Sequence, residues 1–410
     1  MSTSTYIHIF GDSAITVWGL TGRERLLRML PANEQFKFAD DIEKIPASAE
    51  VVFFNANFLF DARVLTAVLG LDKKIALYSD DGCPAAIRTD GGYAAQLLRN
   101  LNNDKDQNYK FVALTIPRIG LGDLKIDYQQ NLKKKDPPYI LPISEVNRTL
   151  LEQELFSGSY KGVTDLITKW VWPVPAYWVT HYCVRKGWQP NHVTYFSVVL
   201  AVFAGLAFWA GFFAIGLVMG WFMTFLDTVD GKLARVTVTS SRFGDVMDHG
   251  LDIVHPPLWY IAWGGGLIGT QYEISGLGFF MGLMLLGYVG GRLCEGAFQF
   301  WLASFDMFIW QKLDSFNRLI TARRNPNLIF LTYGWLIGRP DLGLLMVVFW
   351  HLISTAFLGW RLLMGWRIKK AGGTLRSWLQ DIDPAKDREV LAVRIFTRAP
   401  IDLRKPFPLS

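Results

Sequence analysis

The sequence predicts a multi-domain protein, an N-terminal α/β domain followed by an all-α domain of six transmembrane helices. The chain has 410 residues, of which 51% are hydrophobic and only 19% are charged. Residues 1–118 alternate short β-like runs with helical runs, which is typical of a layered α/β fold. The long apolar runs fall in residues 190–365. We expect four segments: an α/β domain (1–140), a linker with an interfacial amphipathic helix (141–190), the six-helix domain (191–365) and a basic tail (366–410).

The N-terminal segment has the element order of a mostly parallel sheet. Strands are predicted at Tyr6–Phe10, Ala14–Trp18, Val51–Phe54, Lys74–Tyr78 and Lys110–Thr115, and helices at Gly22–Leu30, Asp61–Leu69 and Tyr93–Leu101. No glycine-rich loop that would hold a phosphate is found, since fragments such as Gly11-Asp12-Ser13 are more typical of turns. The first residues lack a basic region followed by an apolar run, so this domain is expected to be cytoplasmic.

The stretch between the two domains changes character along its length. Lys133-Lys134-Lys135-Asp136-Pro137-Pro138 predicts a polar, solvated linker. Residues 159–190 then interleave seven Trp and Tyr side chains with Lys and Arg, without a long apolar run. That pattern predicts a helix lying in the membrane interface, or an aromatic belt that leads into the first span.

Six spans are predicted from the apolar runs. Thr194–Leu226 is uncharged over 33 residues and is divided into two helices at Trp209-Ala210-Gly211. The other spans are predicted at about Asp248–Ile268, Ser275–Gln299, Leu328–Gly338 and Leu342–Leu363. Lys and Arg cluster after the second, fourth and sixth spans, which places both chain termini and those loops in the cytoplasm.

Four aspartates at helical spacings form the main candidate site. Asp227 and Asp230 are three residues apart, and Asp248 and Asp252 are four apart, so on helices each pair shares a face. Their predicted place is the cytoplasmic ends of the second and third spans. Helix capping or ion pairing explains one or two such residues but not four. Converging carboxylates are typical ligands of hard divalent ions such as Mg²⁺ or Mn²⁺.

This stretch resembles the signature of the CDP-alcohol phosphotransferases, also called CDP-alcohol phosphatidyltransferases. The family pattern is Asp-x2-Asp-Gly-x2-Ala-Arg-x8-Gly-x3-Asp-x3-Asp, and the chain fits it without departure at Asp227, Asp230, Gly231, Ala234, Arg235, Gly244, Asp248 and Asp252. The resemblance implies transfer of a phosphate-linked group from a CDP-alcohol, such as CDP-diacylglycerol or CDP-inositol, to an acceptor hydroxyl with release of CMP. Such enzymes act in the synthesis of phospholipids and polar headgroups.

The resemblance also implies roles for the matching residues. Asp227, Asp230 and Asp248 would hold two divalent ions, Mg²⁺ or Mn²⁺, and Asp252 would contact the second ion and act as the general base. The glycines and Ala234 would make room for the CDP moiety. Arg235 would pair with an aspartate or with phosphate, and the sequence leaves these two alternatives open. Homodimers are common in the family, so a homodimer is a further expectation.

The acceptor is predicted from basic residues around the membrane core. Arg323 and Arg324 precede the fifth span, and Arg292 lies three residues before Glu295 inside the fourth, where a helical ion pair is an equally good explanation. With Lys161, these residues are candidates for binding an acceptor hydroxyl compound or a phosphorylated alcohol. Tyr160-Lys161-Gly162-Val163-Thr164-Asp165 resembles the stretch before the membrane core in family members that use an inositol phosphate.

The N-terminal domain faintly resembles a sugar-nucleotidyltransferase domain. The resemblance rests on the run from Val51 to Asp61, where Asn57 replaces the metal-binding aspartate of that family. The domain is therefore expected to be inactive. Two alternatives stay open: a bifunctional enzyme that also makes its CDP-alcohol, and a non-catalytic lipid-binding or transport protein.

Two features exclude other function classes. No basic stripe with stacking aromatics is present, which argues against nucleic-acid binding. Cys83, Cys183 and Cys294 are too few and too far apart for a disulfide framework or a zinc site. The expected partners are therefore the CDP-alcohol, its acceptor and membrane lipid.

Overall fold

A computed structural model of the chain describes residues 5–103, 116–240 and 242–397, with side chains described outside residues 99–103, 242–249 and 251. The chain divides into two compact units. The first comprises Met1–Asp127 and Pro137–Leu155, and the second comprises Tyr128–Asp136 and Phe156–Ser410. The chain thus enters the second unit for nine residues, returns to the first, and enters the second again.

The first unit is an α/β structure around a six-stranded mixed sheet. Its strands are β1 (Thr5–Phe10), β2 (Phe36–Phe38), β3 (Glu50–Asn55), β5 (Ile75–Tyr78), β6 (Pro84–Asp90) and β7 (Arg118–Ile119), in the order β2-β1-β3-β6-β5-β7. β6 runs antiparallel to its neighbours β3 and β5, while the other pairings are parallel. Strands β4 (Phe58–Phe60) and β8 (Ile140–Pro142) form a separate antiparallel pair.

Helices cover both faces of this sheet because its buried strands carry apolar residues on both sides. Val52 and Phe54 pack in one core with helices α1 (Gly22–Met29) and α2 (Ala62–Leu69), and Val51 and Phe53 pack in another with α3 (Gly91–Asn103). The helix starts follow from capping residues. Thr21 and Glu24 form a capping box at α1, and Asp61 accepts a hydrogen bond at the start of α2.

The strand predicted at Ala14–Trp18 is wrong. Residues 17–20 form a tight turn, with φ values of 52° at Trp18 and 72° at Gly19, and Val17 and Leu20 bond to each other across it. The side chains of Val17, Trp18 and Leu20 are buried. The indole of Trp18 also donates a hydrogen bond to the Glu152 carbonyl at 2.8 Å. The strand predicted at Lys110–Thr115 lies outside the described residues.

The second unit is helical. Its helices are α5 (Leu166–Trp170), α6 (Pro173–Arg185), α7 (Pro190–Trp209), α8 (Phe213–Val236), α9 (Arg242–Gly265), α10 (Leu277–Ala297), α11 (Lys312–Ile320), α12 (Arg324–Leu336), α13 (Pro340–Lys370) and α14 (Leu391–Phe396), preceded by α4 (Arg148–Gly158), which crosses from one unit to the other. Buried indole side chains form hydrogen bonds between helices. Trp259 donates to the Ala201 carbonyl and Trp263 to the Pro340 carbonyl.

Within the described residues, four helices are long and apolar enough to cross a membrane. They are Pro190–Trp209, Phe213–Val236, Leu277–Leu302 and Pro340–Lys370. The break predicted at residues 209–211 is present between α7 and α8, and both helices continue beyond the uncharged run. Helix α12 has 13 residues, a length of about 20 Å, which is short of a bilayer core of about 30 Å. Six spans therefore stay a prediction.

The lysine run and part of the C-terminal segment are packed into the second unit. In the lysine run, Lys134 donates to the Gly158 carbonyl and Lys135 to the Gln380 carbonyl. In the C-terminal part, Trp378, Leu379 and Phe396 are buried in an apolar core with residues that precede α11. The ammonium groups of Lys134 and Lys135 donate hydrogen bonds to carbonyl oxygens of the second unit. The prediction of a solvated linker is therefore wrong for these two lysines.

Candidate active site

The two aspartates at the end of α8 point to different surroundings. Asp227 is 18% exposed and lines a cavity. Asp230 is buried, and one of its carboxylate oxygens accepts a hydrogen bond from the Thr194 hydroxyl of α7 at 2.7 Å. A spacing of three residues places them on adjacent parts of the helix surface, and Thr194 fixes Asp230 on the side toward α7.

Arg324 joins carboxylates from two helices. It is the first residue of α12, and its guanidinium forms an ion pair with Asp227 of α8. A second nitrogen of the same group donates to Asp252 of α9 at 2.7 Å. Asp252 is 43% exposed, and it lines the same cavity as Asp227. The side chains of Gly244 and Asp248 lie outside the described residues, so their predicted places stay predictions.

A cavity of about 520 Å³ collects most of the predicted site residues in one place. Asp227, Asp252 and Gly231 line it, and so do all four candidates for the acceptor site. The described cationic side chains along its wall are Lys133, Lys161, Lys232, Arg235, Arg292, Arg318, Arg323 and Arg324. The described carboxylates are Asp165, Asp227, Asp252, Glu295 and Asp306. Cations outnumber carboxylates, so the cavity suits a ligand with several negative charges.

The remaining signature residues of α8 support the cavity wall. Arg235 donates to the Gly231 carbonyl at 3.0 Å and to the Ser159 carbonyl at 3.4 Å. The neighbouring Lys232 is buried, donates to the same Ser159 carbonyl, and lies 3.5 Å from the centroid of the Tyr160 ring. Ala234 does not line the cavity. Arg235 thus contacts the backbone of the loop before α5, and the two alternatives that the sequence left open for it, an aspartate or a phosphate partner, stay predictions.

The acceptor candidates form a network around Glu295. Arg323 pairs with the Glu295 carboxylate, and Arg292 lies 3.7 Å from the same oxygen. The helical ion pair that the sequence suggested for Arg292 and Glu295 is therefore present, and both residues also line the cavity. Since one carboxylate serves two arginines, the network keeps an excess of positive charge facing the cavity.

Asp165 anchors the entry to the helical unit at the cavity wall. Its carboxylate caps α5 by accepting from the Thr168 backbone at 3.0 Å, and it accepts from the Asn325 amide at 2.9 Å. Burial would raise the pKa of Asp165, but the nearby Arg318 and these hydrogen bonds lower it below its usual value. Asp165 is therefore ionised at neutral pH.

Four charged cavity residues were missed by the sequence reasoning: Lys133, Lys232, Asp306 and Arg318. Lys133 pairs with Asp306. Burial would raise the pKa of Asp306, but Lys133 keeps it below the usual value. Burial lowers the pKa of Arg318 to about 10, which still leaves it charged at neutral pH. Arg318 lies five residues before Arg323, so its place near this basic cluster indicated that it could belong to the site. Nothing in the sequence around Lys133 indicates that it lines the cavity.

The residues present fit a divalent ion in their chemistry. Among the described residues, no three His, Cys, Asp or Glu side chains come together as a metal site. However, Asp227 and Asp252 belong to different helices and meet on one cationic group, Arg324. Their oxygens therefore already share one cationic partner, and carboxylate oxygens are the ligands that Mg²⁺ and Mn²⁺ prefer.

Comparison with known proteins places this geometry in a family context. Residues 188–303 match the family model described as CDP-alcohol phosphatidyltransferase. The matched region contains the whole signature from Asp227 to Asp252 as well as Arg292, and it confirms the resemblance seen in the sequence. Lys133, Lys161, Arg318, Arg323 and Arg324 lie outside it. A search of curated proteins found no matching relative.

Proposed function

Because residues 188–303 match the CDP-alcohol phosphatidyltransferases, whose members transfer phosphate-linked groups and generally depend on divalent metals, we propose that this chain is such an enzyme. It takes the phosphate-linked group of a CDP-alcohol, such as CDP-diacylglycerol or CDP-inositol, and passes it to an acceptor hydroxyl. CMP is released. The four apolar helices fit an integral membrane protein. The proposal places its active site and both termini on the cytoplasmic side, in the synthesis of phospholipids or polar headgroups.

One observation carries the proposal. The signature aspartates Asp227 and Asp252, which lie 25 residues apart on two helices, face one cavity of about 520 Å³. A cavity of this size accommodates a nucleotide-sized ligand with part of a second substrate. The excess of cationic side chains along its wall matches the diphosphate of the donor.

We assign different roles to the signature aspartates according to their positions. Asp252 is accessible from the cavity and is oriented by Arg324, so it is placed to accept the proton that the acceptor hydroxyl loses. Asp227 and Asp230, with Asp248, would hold the divalent ions, and Thr194 fixes the orientation of Asp230. A bound divalent ion would neutralise charge on the diphosphate and on the departing CMP.

The acceptor would occupy the side of the cavity lined by Lys161, Arg292 and Arg323. Arginine presents paired N–H groups that match phosphoryl oxygens, and a protein wall around the cavity strengthens this attraction relative to bulk water. The same side chains can also orient an uncharged polyol through hydrogen bonds. The acceptor is thus a polar alcohol, and a phosphorylated one satisfies more of the charge.

The structure of the first unit favours this reading over a bifunctional enzyme. At the end of β3, the Asn55 side chain accepts from the Asn57 backbone at 3.0 Å. A Cβ on Gly11 would lie 2.7 Å from the Asn55 side-chain oxygen, so the β1 loop packs tightly against this neutral pair. This strand end carries amides where a nucleotidyltransferase has a metal-binding carboxylate. A non-catalytic transport protein would have no use for the full set of signature aspartates.

The test is a CMP-release assay on the purified full-length protein in detergent with Mg²⁺ or Mn²⁺. CDP-diacylglycerol and CDP-inositol are each combined with inositol, glycerol and their phosphates. At least one combination should release CMP, and Asp252→Asn should reduce the rate by about 10²-fold or more, the contribution of a general base. Asp341→Asn is the matched control, because Asp341 also pairs with an arginine at 2.6 Å but lies outside the cavity.

Three results would count against parts of the proposal. Turnover by Asp252→Asn at the wild-type rate would show that another group takes the proton. Absence of CMP release from every combination, by a protein that unfolds cooperatively on heating, would favour the non-catalytic alternative. Consumption of CTP by the protein would favour the bifunctional one.

A further inference from the structure

The loop formed by residues 128–136 contributes one side chain to the cavity although it lies far outside the family match. Lys133 lines the cavity wall, and its ammonium group pairs with Asp306, which is 173 residues away in the sequence. Its neighbours in the lysine run have other partners, since Lys134 and Lys135 donate to backbone carbonyls. Lys133 is therefore the member of the run whose charge faces the cavity.

The loop is fixed by its own backbone. Gln129 and Lys134 bond to each other in both directions, and the Gly162 backbone donates to the Leu132 carbonyl at 2.8 Å. A Cβ on Gly162 would lie 2.6 Å from the Lys133 carbonyl oxygen, so the loop approaches the Gly162 backbone as closely as a glycine permits. The position of Lys133 is thus set by tight packing.

The backbone of Lys133 is in an uncommon conformation for a lysine. Its φ is 49°, in the left-handed region that glycine adopts without strain. A glycine would adopt this conformation without strain, so a lysine at this position carries local backbone strain. Strain of this kind concentrates at binding sites, where the side chain is needed.

The surroundings of Lys133 offer hydrogen-bond donors to an anion. One terminal nitrogen of Arg318 is buried without a hydrogen-bond partner in the described part of the chain, and so is the ε nitrogen of Arg323. Both arginines line the cavity with Lys133, and both interact electrostatically with Asp306. A lysine ammonium has three N–H donors, so Lys133 can keep Asp306 and still donate to a ligand.

We propose that Lys133 is a specificity residue that binds the phosphate of a phosphorylated alcohol acceptor. The inference rests on the proposed function and assigns its acceptor class. Lys133, Arg318 and Arg323 together bind the phosphate dianion, while Asp306 orients the lysine through their ion pair. An acceptor without a phosphate loses these contacts and leaves the positive charge uncompensated.

Two assays on the full-length protein test this proposal. The first measures binding of inorganic phosphate by calorimetry. The second measures CMP release with sn-glycerol 3-phosphate and inositol 1-phosphate, each against its unphosphorylated form. Lys133→Met should weaken phosphate binding and raise the KM for the phosphorylated acceptor by about tenfold, the effect of one charge-assisted hydrogen bond. The KM for the CDP-alcohol should be unchanged.

Three further variants separate this role from a structural one. Lys135→Met is the matched control and should behave as the wild type, since Lys135 does not line the cavity. Lys133→Gly should lose phosphate binding with a smaller fall in melting temperature than Lys133→Met, because both lose the ion pair with Asp306 but glycine adopts this backbone conformation freely. Lys133→Arg should recover part of the affinity, as it restores the charge.

The outcomes distinguish the two proposals. CMP release with equal phosphate affinity and equal acceptor KM in Lys133→Met and Lys135→Met overturns the role of Lys133 and leaves the enzyme function standing. Preference of the wild type for unphosphorylated acceptors overturns it as well. Absence of CMP release in every combination overturns the enzyme function and the acceptor role together, and phosphate binding that still depends on Lys133 would then define an anion site of another use.

Discussion

Replacing Arg324 tests whether Asp227 and Asp252 also bind a divalent cation. Arg324→Gln removes the positive charge and keeps a side chain that can donate. Two unit charges about 4 Å apart attract by about 4 kcal/mol at an effective dielectric constant of 20, and desolvation offsets part of this. Asp252 is 43% exposed, so its pair contributes about 1 kcal/mol at most. Asp227 is 18% exposed and its pair contributes more. We expect the metal-free variant to lose about 2 kcal/mol of stability.

The variant should respond more strongly to divalent ions than the wild type. An ion that binds Asp227 and Asp252 competes with Arg324 for the same oxygens, so removing the guanidinium strengthens ion binding by their coupling energy. We expect the Mg²⁺ or Mn²⁺ concentration for half-maximal stabilisation to fall about tenfold, which corresponds to about 1.4 kcal/mol. The measurement is thermal unfolding in detergent, after treatment with a chelator, along a titration with each ion and without substrate.

A matched arginine elsewhere in the chain serves as the control. Arg339 pairs with Asp341 at 2.6 Å and does not line the cavity. Arg339→Gln should leave both the stability and the response to divalent ions close to those of the wild type, as is usual for an exposed pair. A half-maximal ion concentration that is unchanged or higher in Arg324→Gln would refute the reasoning, because the ion and Arg324 would then not share ligands.

Three further changes test the packing of the helical unit. Gly162→Ala should destabilise by about 1–3 kcal/mol, since its Cβ would lie 2.2 Å from the Phe396 carbonyl oxygen, whereas Gly158→Ala, which meets open space, should be near neutral in thermal unfolding. Arg361 and Asp314 form an ion pair in which both side chains are 1% exposed. Arg361→Leu should lower the free energy of unfolding by about 3–5 kcal/mol because it leaves the buried Asp314 carboxylate without this partner. Adding Asp314→Leu should recover much of that loss. Burial lowers the pKa of Lys169 to about 8, and the unfolded chain keeps that proton up to about pH 10.4. The free energy of unfolding should therefore rise between these pH values in the wild type, and Lys169→Met should lack this component in a pH series of denaturant titrations.

The sequence predicted most of the longer elements of the fold because their hydrophobic periodicity extends over enough residues to be recognised. The buried strands β1, β3 and β5, the three helices of the first unit, and the break between α7 and α8 are present. Strands β2, β4, β7 and β8 have two or three residues each, too few for an alternating pattern to show. Strand β6 had a usable signal, since Asp81-Gly82 between two apolar runs is typical of a hairpin turn.

The candidate site was predictable where the residues belong to one local pattern. Asp227, Asp230 and Asp252 are defined by their spacing, and Arg323 and Arg324 stand out as paired charges before an apolar run. What the sequence could not show is pairing across long separations. Arg324 is 97 residues from Asp227 and 72 from Asp252, and nothing near Lys133 indicates that its partner is Asp306. Such contacts depend on tertiary packing, which periodicity does not encode.

The brief passage of residues 128–136 through the helical unit means that no single position in the sequence separates the two units. Strand β8, the partner of β4, follows this loop in the sequence. The first unit therefore contains chain segments from both sides of residues 128–136 and is complete only when both are present. Deleting residues 1–140 would take Lys133 away along with the α/β domain. An exchange of N-terminal domains between relatives would need two junctions, one on each side of the loop, so that the nine residues stay with the helices they contact.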